Sequence, residues 1–309
     1  MQDAAGLLEQ RGLRCVELEE IEFHADTLDV SAAAQAYETH GALVVRGLMS
    51  AHVAAVTRDI EAKVQESLGL LDQAQLVAEG WRTPNGTLFI PAPDGFSRDK
   101  QVMVVALRYQ ESAALLQSAL HSRTLDLAEA ILGPNVELFG GGQVLYKEPV
   151  GGHAKHLHQD SAYFEHRYQG PLALLAYCVD TNLDNGALYV IPGSHTLGHL
   201  EHVDTTSHLG LTQEEWPWAA GVAVTGSAGD VVLFNVRTIH GSQSNFSKAP
   251  RPVFIHRYRR ADDYVVVRGT TAANRTEAQA GAATARKEGQ EGLLVRGYRE
   301  WHPPDSDVT

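Results

Sequence analysis

Cysteine is scarce in this sequence: only Cys15 and Cys178 occur in 309 residues. That excludes a disulfide framework and a cysteine-based zinc site, and leaves both thiols reduced, at least one of them as a small apolar filler. Long apolar runs are missing as well. No stretch reaches the roughly 18 apolar residues of a membrane-spanning helix, so no membrane association is expected. Basic charge is short: 25 Lys and Arg stand against 38 Asp and Glu, a formal net charge of −13. Such a balance argues against a nucleic-acid partner, which would need a basic face. The opening segment MQDAAGLLEQRGLRCVELEE lacks the basic-then-apolar pattern of a secretory signal, so a cytoplasmic location is expected. Internal repeats and extended low-complexity tracts are absent too.

What is present suffices for a large core. Apolar residues make up 44% of the chain, and a chain of this length hides roughly 75% of its unfolded surface. Residues 31–71 have the pattern helix, strand, helix. In the second helix Val53, Val56, Ile60, Val64 and Leu68 recur at spacings of three and four, and Ser50 stands where a capping hydroxyl belongs. Residues 72–101 show little periodicity and end in a Pro/Gly-rich stretch, which implies a long irregular loop of the kind that often shapes a binding site. One helix is expected over about 112–132, stopped by Gly133 and Pro134. From Val136 to about Tyr258 the chain breaks into short β-rich runs separated by Gly, Pro, Asn and Asp, the pattern of a sandwich or jelly roll. The 270–290 stretch is rich in Ala, Gly and charge, and suits a helix or a loose surface segment. The expected architecture is one domain over 1–309, mainly β with flanking helices. In it, 1–135 is mainly helical wrapping and loop, 136–260 the jelly-roll core and 261–309 a C-terminal tail.

Fifteen histidines make any single one weak evidence. The pattern His158-Gln159-Asp160 is stronger. On a strand, side chains alternate, so positions 158 and 160 would share a face and bring an imidazole and a carboxylate together. A third ligand must come from another strand, and His240 follows the β run GDVVLFNV. Two histidines and one carboxylate on one face of an octahedral ion leave the other face open, the arrangement of non-haem Fe(II) oxygenases. Eleven residues beyond His240 lies Arg251, at the start of another strand. A guanidinium can grip a carboxylate bidentately and keeps its charge, which suits the distal carboxylate of 2-oxoglutarate.

Together these residues resemble the phytanoyl-CoA dioxygenase-like family of Fe(II)/2-oxoglutarate-dependent oxygenases. The resemblance rests on HQDSAYF (158–164), NGALYVIPGSH (185–195), GDVVLFNVRTIHGSQSN (229–245) and RPVFIHRY (251–258), with YETHGALVVRGL (37–48) as an N-terminal entry. It covers about residues 35–260 and implies a double-stranded β-helix, a cupin-like jelly roll. By that resemblance His158, Asp160 and His240 fall on the Fe(II) positions and Arg251 on the 2-oxoglutarate anchor. Ser242 matches a hydroxyl that assists the same carboxylate. Gln143 and Leu145 share a face of the strand leading into the H-x-D loop, and Gln143 is a candidate contact with substrate or co-substrate.

The implied activity is a dioxygenase reaction: O₂, 2-oxoglutarate and a small-molecule substrate yield succinate, CO₂ and a hydroxylated product. Asp160 favours hydroxylation, since related halogenases carry a small residue there. A cupin-type enzyme without 2-oxoglutarate and a non-catalytic jelly-roll binding module are the alternatives. Other conspicuous residues have plainer expectations. His153 and His156 should serve as loop or supporting residues, and His195 as a structural one. His199, His202 and His208 should face solvent, as should Arg82, Arg98, Lys100, Arg108 and Lys147.

Overall fold

Alternation along the strands decides the architecture. In the strand Leu172–Tyr177, Leu172, Leu174 and Ala176 join one apolar cluster, while Ala173, Leu175 and Tyr177 join a second. The same split runs through Val231–Asn235, where Val231 and Leu233 face one way and Val232 and Phe234 the other. It also runs through Arg251–Arg260, where Phe254 opposes Val253 and Ile255. Strands buried on both faces must lie between two layers.

The protein is described here by a computed structural model covering residues 4–205, 208–265 and 292–299. The 270–290 segment lies outside the described residues. A large sheet runs in the order Glu22–His24, Ala42–Arg46, Val231–Asn235, Leu172–Tyr177, Arg251–Arg260, Gln143–Lys147, Lys100–Val105, Leu88–Pro91, Gly80–Arg82 and Gln75–Val77. One of its faces carries the helices Val30–His40, Val53–Leu68, Ala113–Ala119 and Ser122–Leu132, through Tyr37, Val56, Ile60, Leu115 and Leu127. The other face packs on a small sheet ordered Val222–Val224, Leu188–Ile191, Ile239–Ser242 and Lys155–His158, through Leu188, Val190 and Val224. Each such fully buried aliphatic side chain contributes about 1.5–3 kcal/mol of transfer free energy. The result is the expected jelly roll with flanking helices. No helix among the described residues is long and apolar enough to cross a membrane.

Three local expectations are corrected. The 72–101 segment is not an irregular loop: it supplies Gln75–Val77, Gly80–Arg82 and Leu88–Pro91, which extend the large sheet beside Lys100–Val105. Short strands of three or four residues are too brief to show a period in the sequence. The helix expected over 112–132 is two helices, because His121 adopts an extended backbone between Ala119 and Ser122. Ser112 caps the first by accepting from the Leu115 N–H, and Gly133 ends the second at φ +97°. Ser50 caps nothing; the helix starts later, at Val53, after a turn whose His52 has a helical backbone and offers no side-chain cap. Of the two thiols, Cys178 is buried and Cys15 exposed.

Candidate active site

Two cross-strand neighbours begin the site. His158, at the end of its strand, pairs with His240 in the small sheet, and their ring centroids lie 4.3 Å apart. His240 also pairs with Val190, and Ser242 with Leu188, so this ladder turns toward the apolar space between the sheets. Asp160 arrives by another route than the one expected. The strand stops at His158, and Asp160 takes a helical backbone that opens the turn Ser161–Phe164. The turn, and not strand alternation, swings the carboxylate back over both imidazoles. Gln159 fixes that turn from the opposite side: its amide donates to the Gly198 and Arg237 carbonyls and its oxygen accepts from the Leu200 N–H.

The Asp160 Oδ1 atom lies 3.9 Å from His158 Nε2 and 3.8 Å from His240 Nε2. All three ligand atoms fall within 4.8 Å of one another, and all three residues are buried. Each imidazole Nδ1 sits at hydrogen-bond distance from a backbone carbonyl, His158 from His156 at 2.7 Å and His240 from Thr238 at 2.9 Å. A carbonyl accepts only, so each Nδ1 carries the proton and each Nε2 presents a lone pair to the same point. Burial pushes both imidazoles below their ordinary pKa, His158 far below, which keeps them neutral. Burial alone would raise the Asp160 carboxyl, but the Arg257 guanidinium, foremost among its charged neighbours, holds it below its ordinary value. This donor set fits a divalent transition metal with three protein ligands and open positions.

Arg257 is the residue that sequence reasoning missed. Its Nη2 and Nε donate to Asp160 Oδ2 at 3.0 and 3.3 Å, and its Nη1 donates to Gln143 Oε1 at 2.9 Å. The signal was available: Arg257 has the parity of Arg251, Val253 and Ile255, and so shares their inward face. Gln143 does line the cavity, but the contact the structure gives its oxygen is with Arg257.

The cavity holds about 520 Å³ and is walled by both sheets, with Leu175, Phe234 and Ile255 from the large one and Leu188 from the small one. Leu88, Met103 and Val104 close another side, which makes the 75–105 strands part of the wall. Arg251 reaches the same cavity and is 2% exposed. Its guanidinium lies 5.6 Å from the Tyr177 ring, and its Nε and Nη2 are buried without a hydrogen-bond partner. Beside it across the ladder is Lys147, also 2% exposed, which corrects the expectation that it faces water. The Lys147 ammonium donates to the carbonyls of His153, Gln243 and Ser242. Burial, and then the neighbouring Arg251 charge, push the Lys147 amine well below its ordinary pKa, so Arg251 carries the positive charge at this end of the cavity, and Ser242 lies in the same wall.

The histidines expected in solvent are not there. His202 accepts the Gln159 backbone N–H on Nε2, and burial lowers it to about 4. His208 packs edge-on against His158, 5.3 Å between centroids, and lines the cavity. His199 meets the Ser161 hydroxyl through Nδ1. The loop holding them folds over the ligand turn, and hydrogen bonds make its polarity compatible with burial. Among the basic residues, Arg98 pairs with Glu148 and Arg82 lines the cavity.

The chain is similar to known proteins in sequence and in fold. The chain is 32% identical over 168 residues to a probable alpha-ketoglutarate-dependent hypophosphite dioxygenase of Stutzerimonas stutzeri, a match covering 50% of this chain and 58% of that protein. It is 27% identical over 152 residues to phytanoyl-CoA dioxygenase domain-containing protein 1 of Rattus norvegicus, covering 45% and 51%. These matches thus span little more than half the length of either relative. The fold is similar to that of the alpha ketoglutarate dependent carbocyclase SnoK from nogalamycin biosynthesis, with a TM-score of 0.58, 20% identity and coverage of 89% and 96%. It is also similar to the epimerase SnoN solved with Fe³⁺, alpha ketoglutarate and nogalamycin RO, with a TM-score of 0.56, 21% identity and coverage of 87% and 96%. The family model described as Phytanoyl-CoA dioxygenase (PhyH) matches residues 37–253, well over half of the sequence, and the chain belongs to that family.

Proposed function

We propose that the protein is an Fe(II)- and 2-oxoglutarate-dependent dioxygenase that hydroxylates an unactivated C–H of a small metabolite or natural-product intermediate. One observation carries the reading: a three-ligand cluster and a buried guanidinium with unused N–H groups open into the same cavity. A buried unpaired charge is costly, and a carboxylate brought by a ligand would offset that cost. The names of the S. stutzeri relative and of the structural neighbours agree with the co-substrate.

In this reading His158, Asp160 and His240 hold Fe(II), which supplies the electron-transfer chemistry with O₂ that amino-acid side chains lack. The overall reaction converts 2-oxoglutarate, O₂ and R–H into succinate, CO₂ and R–OH. One oxygen atom ends in the new succinate carboxylate and the other in the hydroxyl; 2-oxoglutarate and the C–H bond each give up two electrons. The chain's own contributions are binding and orientation. Arg251 takes the distal carboxylate of 2-oxoglutarate, with Ser242 in the same cavity wall. Arg257 occupies Asp160 Oδ2 and so leaves Oδ1 for the metal. Leu175, Leu188, Phe234 and Ile255 give the space between the sheets an apolar wall.

The test is succinate formation from 2-oxoglutarate by purified protein with Fe(II), turnover that proceeds slowly even without the primary substrate. His158→Ala and His240→Ala should abolish it together with metal binding. Retention of both in either variant would refute the assignment.

A further inference from the structure

The metal cluster and the Arg251 end leave one cavity cation without a task. Lys155 opens the small-sheet strand that ends at His158, lies across the ladder from Ser242, is half-buried, and lines the cavity with His158 and Asp160. We propose that its ammonium receives an anionic group of the primary substrate, a carboxylate or a phosphorus oxyanion, beside the metal site.

The other cavity cations are engaged. Arg257 holds Asp160 and Gln143. Arg82 donates to the Gly86 carbonyl and stands 3.9 Å from Glu79. Arg251, on the opposite sheet, is assigned to the co-substrate. The charges that act on Lys155, Asp160 and then Glu79, do so from a distance, with no hydrogen bond or ion pair to it among the described residues. Burial lowers the ammonium to about 8, so it is still mainly cationic at neutral pH. A lysine whose only task was structural would reach a carbonyl cluster, as Lys147 does, or extend to water. A charge kept in a cavity wall without a partner is instead stabilised by an incoming anion.

Placement then limits the substrate. Lys155 and Arg251 stand on different sheets, so 2-oxoglutarate bound on Arg251 leaves the lysine free for a second anion. Lys155 is three residues from one metal ligand, which holds that anion close to the reacting centre. Lys155 and the cluster line one cavity of about 520 Å³, so the anionic group and the reacting bond share that space and the substrate is a small anion.

The inference rests on the dioxygenase reading only in giving Arg251 to the co-substrate, and the two can fail separately. The experiment is calorimetric titration of protein loaded with Ni(II) and 2-oxoglutarate, which does not turn over. The probes are matched pairs: butanoate against butanamide, and methylphosphonate against dimethyl sulfone. One anion at least should bind better than its neutral partner, and the pair that responds distinguishes carboxylate from phosphorus oxyanion. Lys155→Met should weaken that anion at least about tenfold, while Lys155→Arg largely restores it and both keep wild-type affinity for 2-oxoglutarate. Two results overturn the proposal: anions that bind no better than neutral partners, or a Lys155→Met variant that loses 2-oxoglutarate as Arg251→Met does. If 2-oxoglutarate fails to bind the metal-loaded wild type, the dioxygenase reading falls. A Lys155-dependent anion response without it would still support the anion site.

Discussion

Arg257 and Asp160 form the ion pair that divides the work of one carboxylate: Oδ2 faces the guanidinium at 3.0 Å, and Oδ1 faces the two imidazoles. The pair bridges the two sheets, since Arg257 belongs to the large one and Asp160 to the turn leaving the small one. Removing the guanidinium should let burial raise the carboxyl and let its plane rotate. Arg257→Met should therefore weaken Ni(II) binding about 10–100-fold, the usual range for losing a partner of a metal ligand. Competition with a chelator reads the change, and Gln143→Leu should give a smaller loss. An unchanged affinity in Arg257→Met would remove this role.

Arg251 offers a different signature, because its buried nitrogens are unpaired without a ligand. Arg251→Met should leave the ligand-free protein as stable as wild type or more so, since it removes an uncompensated buried charge. The same variant should lose the thermal stabilisation by 2-oxoglutarate, which in wild type amounts to about 2.7 kcal/mol at a hundredfold excess over Kd. Melting curves with and without 2-oxoglutarate, at fixed Ni(II), measure both effects. A variant that melts lower and still responds to 2-oxoglutarate contradicts the anchor role.

His256 makes stability depend on pH. It is fully buried between the Tyr109 hydroxyl at Nδ1 and the Ser118 hydroxyl at Nε2, and burial lowers it to about 3. The unfolded chain takes up a proton near pH 6.5, whereas the folded chain resists until about 3. The sign follows: the contribution is complete above about 6.5 and is lost as pH falls, by up to about 1.4 kcal/mol per unit. Urea unfolding between pH 7 and 5 should show this slope, and His256→Gln should reduce it by about one proton.

Gly41 ends the helix Val30–His40 in the left-handed region, at φ +67°. A Cβ there would come within 2.2 Å of His195 Nδ1 and 2.7 Å of Thr238 Oγ1. Gly41→Ala combines backbone strain with this clash, and should cost at least about 2 kcal/mol. Thermal melting checks it; a loss of a few tenths would mean that His195 moves aside freely.

The parts of this molecule legible in its sequence are those with a short period or a short spacing. Closely spaced β-rich runs such as ALLAYCVD and DVVLFNV, broken by turn residues, point to the jelly roll, and the H-x-D spacing points to two of the three clustered residues. The strands between Gln75 and Pro91 were illegible because three or four residues show no period. Lys147 was misjudged because burial of a lysine depends on carbonyls supplied by distant residues, His153, Ser242 and Gln243. The loop with His202 and His208 misled for the same reason: its polarity is answered internally. Arg257 is legible only by its parity with Arg251 on the same strand, because no spacing from His240 points to it.

The paired strands of His158 and His240 have a mechanical consequence. The small sheet carries His158 and His240 on one ladder, the turn beyond it carries Asp160, and Arg257 ties that turn to the opposite sheet. A metal held there acts as a rivet at the mouth of the sandwich. Loading it should slow amide exchange along Lys155–His158 and the Asp160 turn, while the strands under the helices, already clamped on both faces, keep their rates.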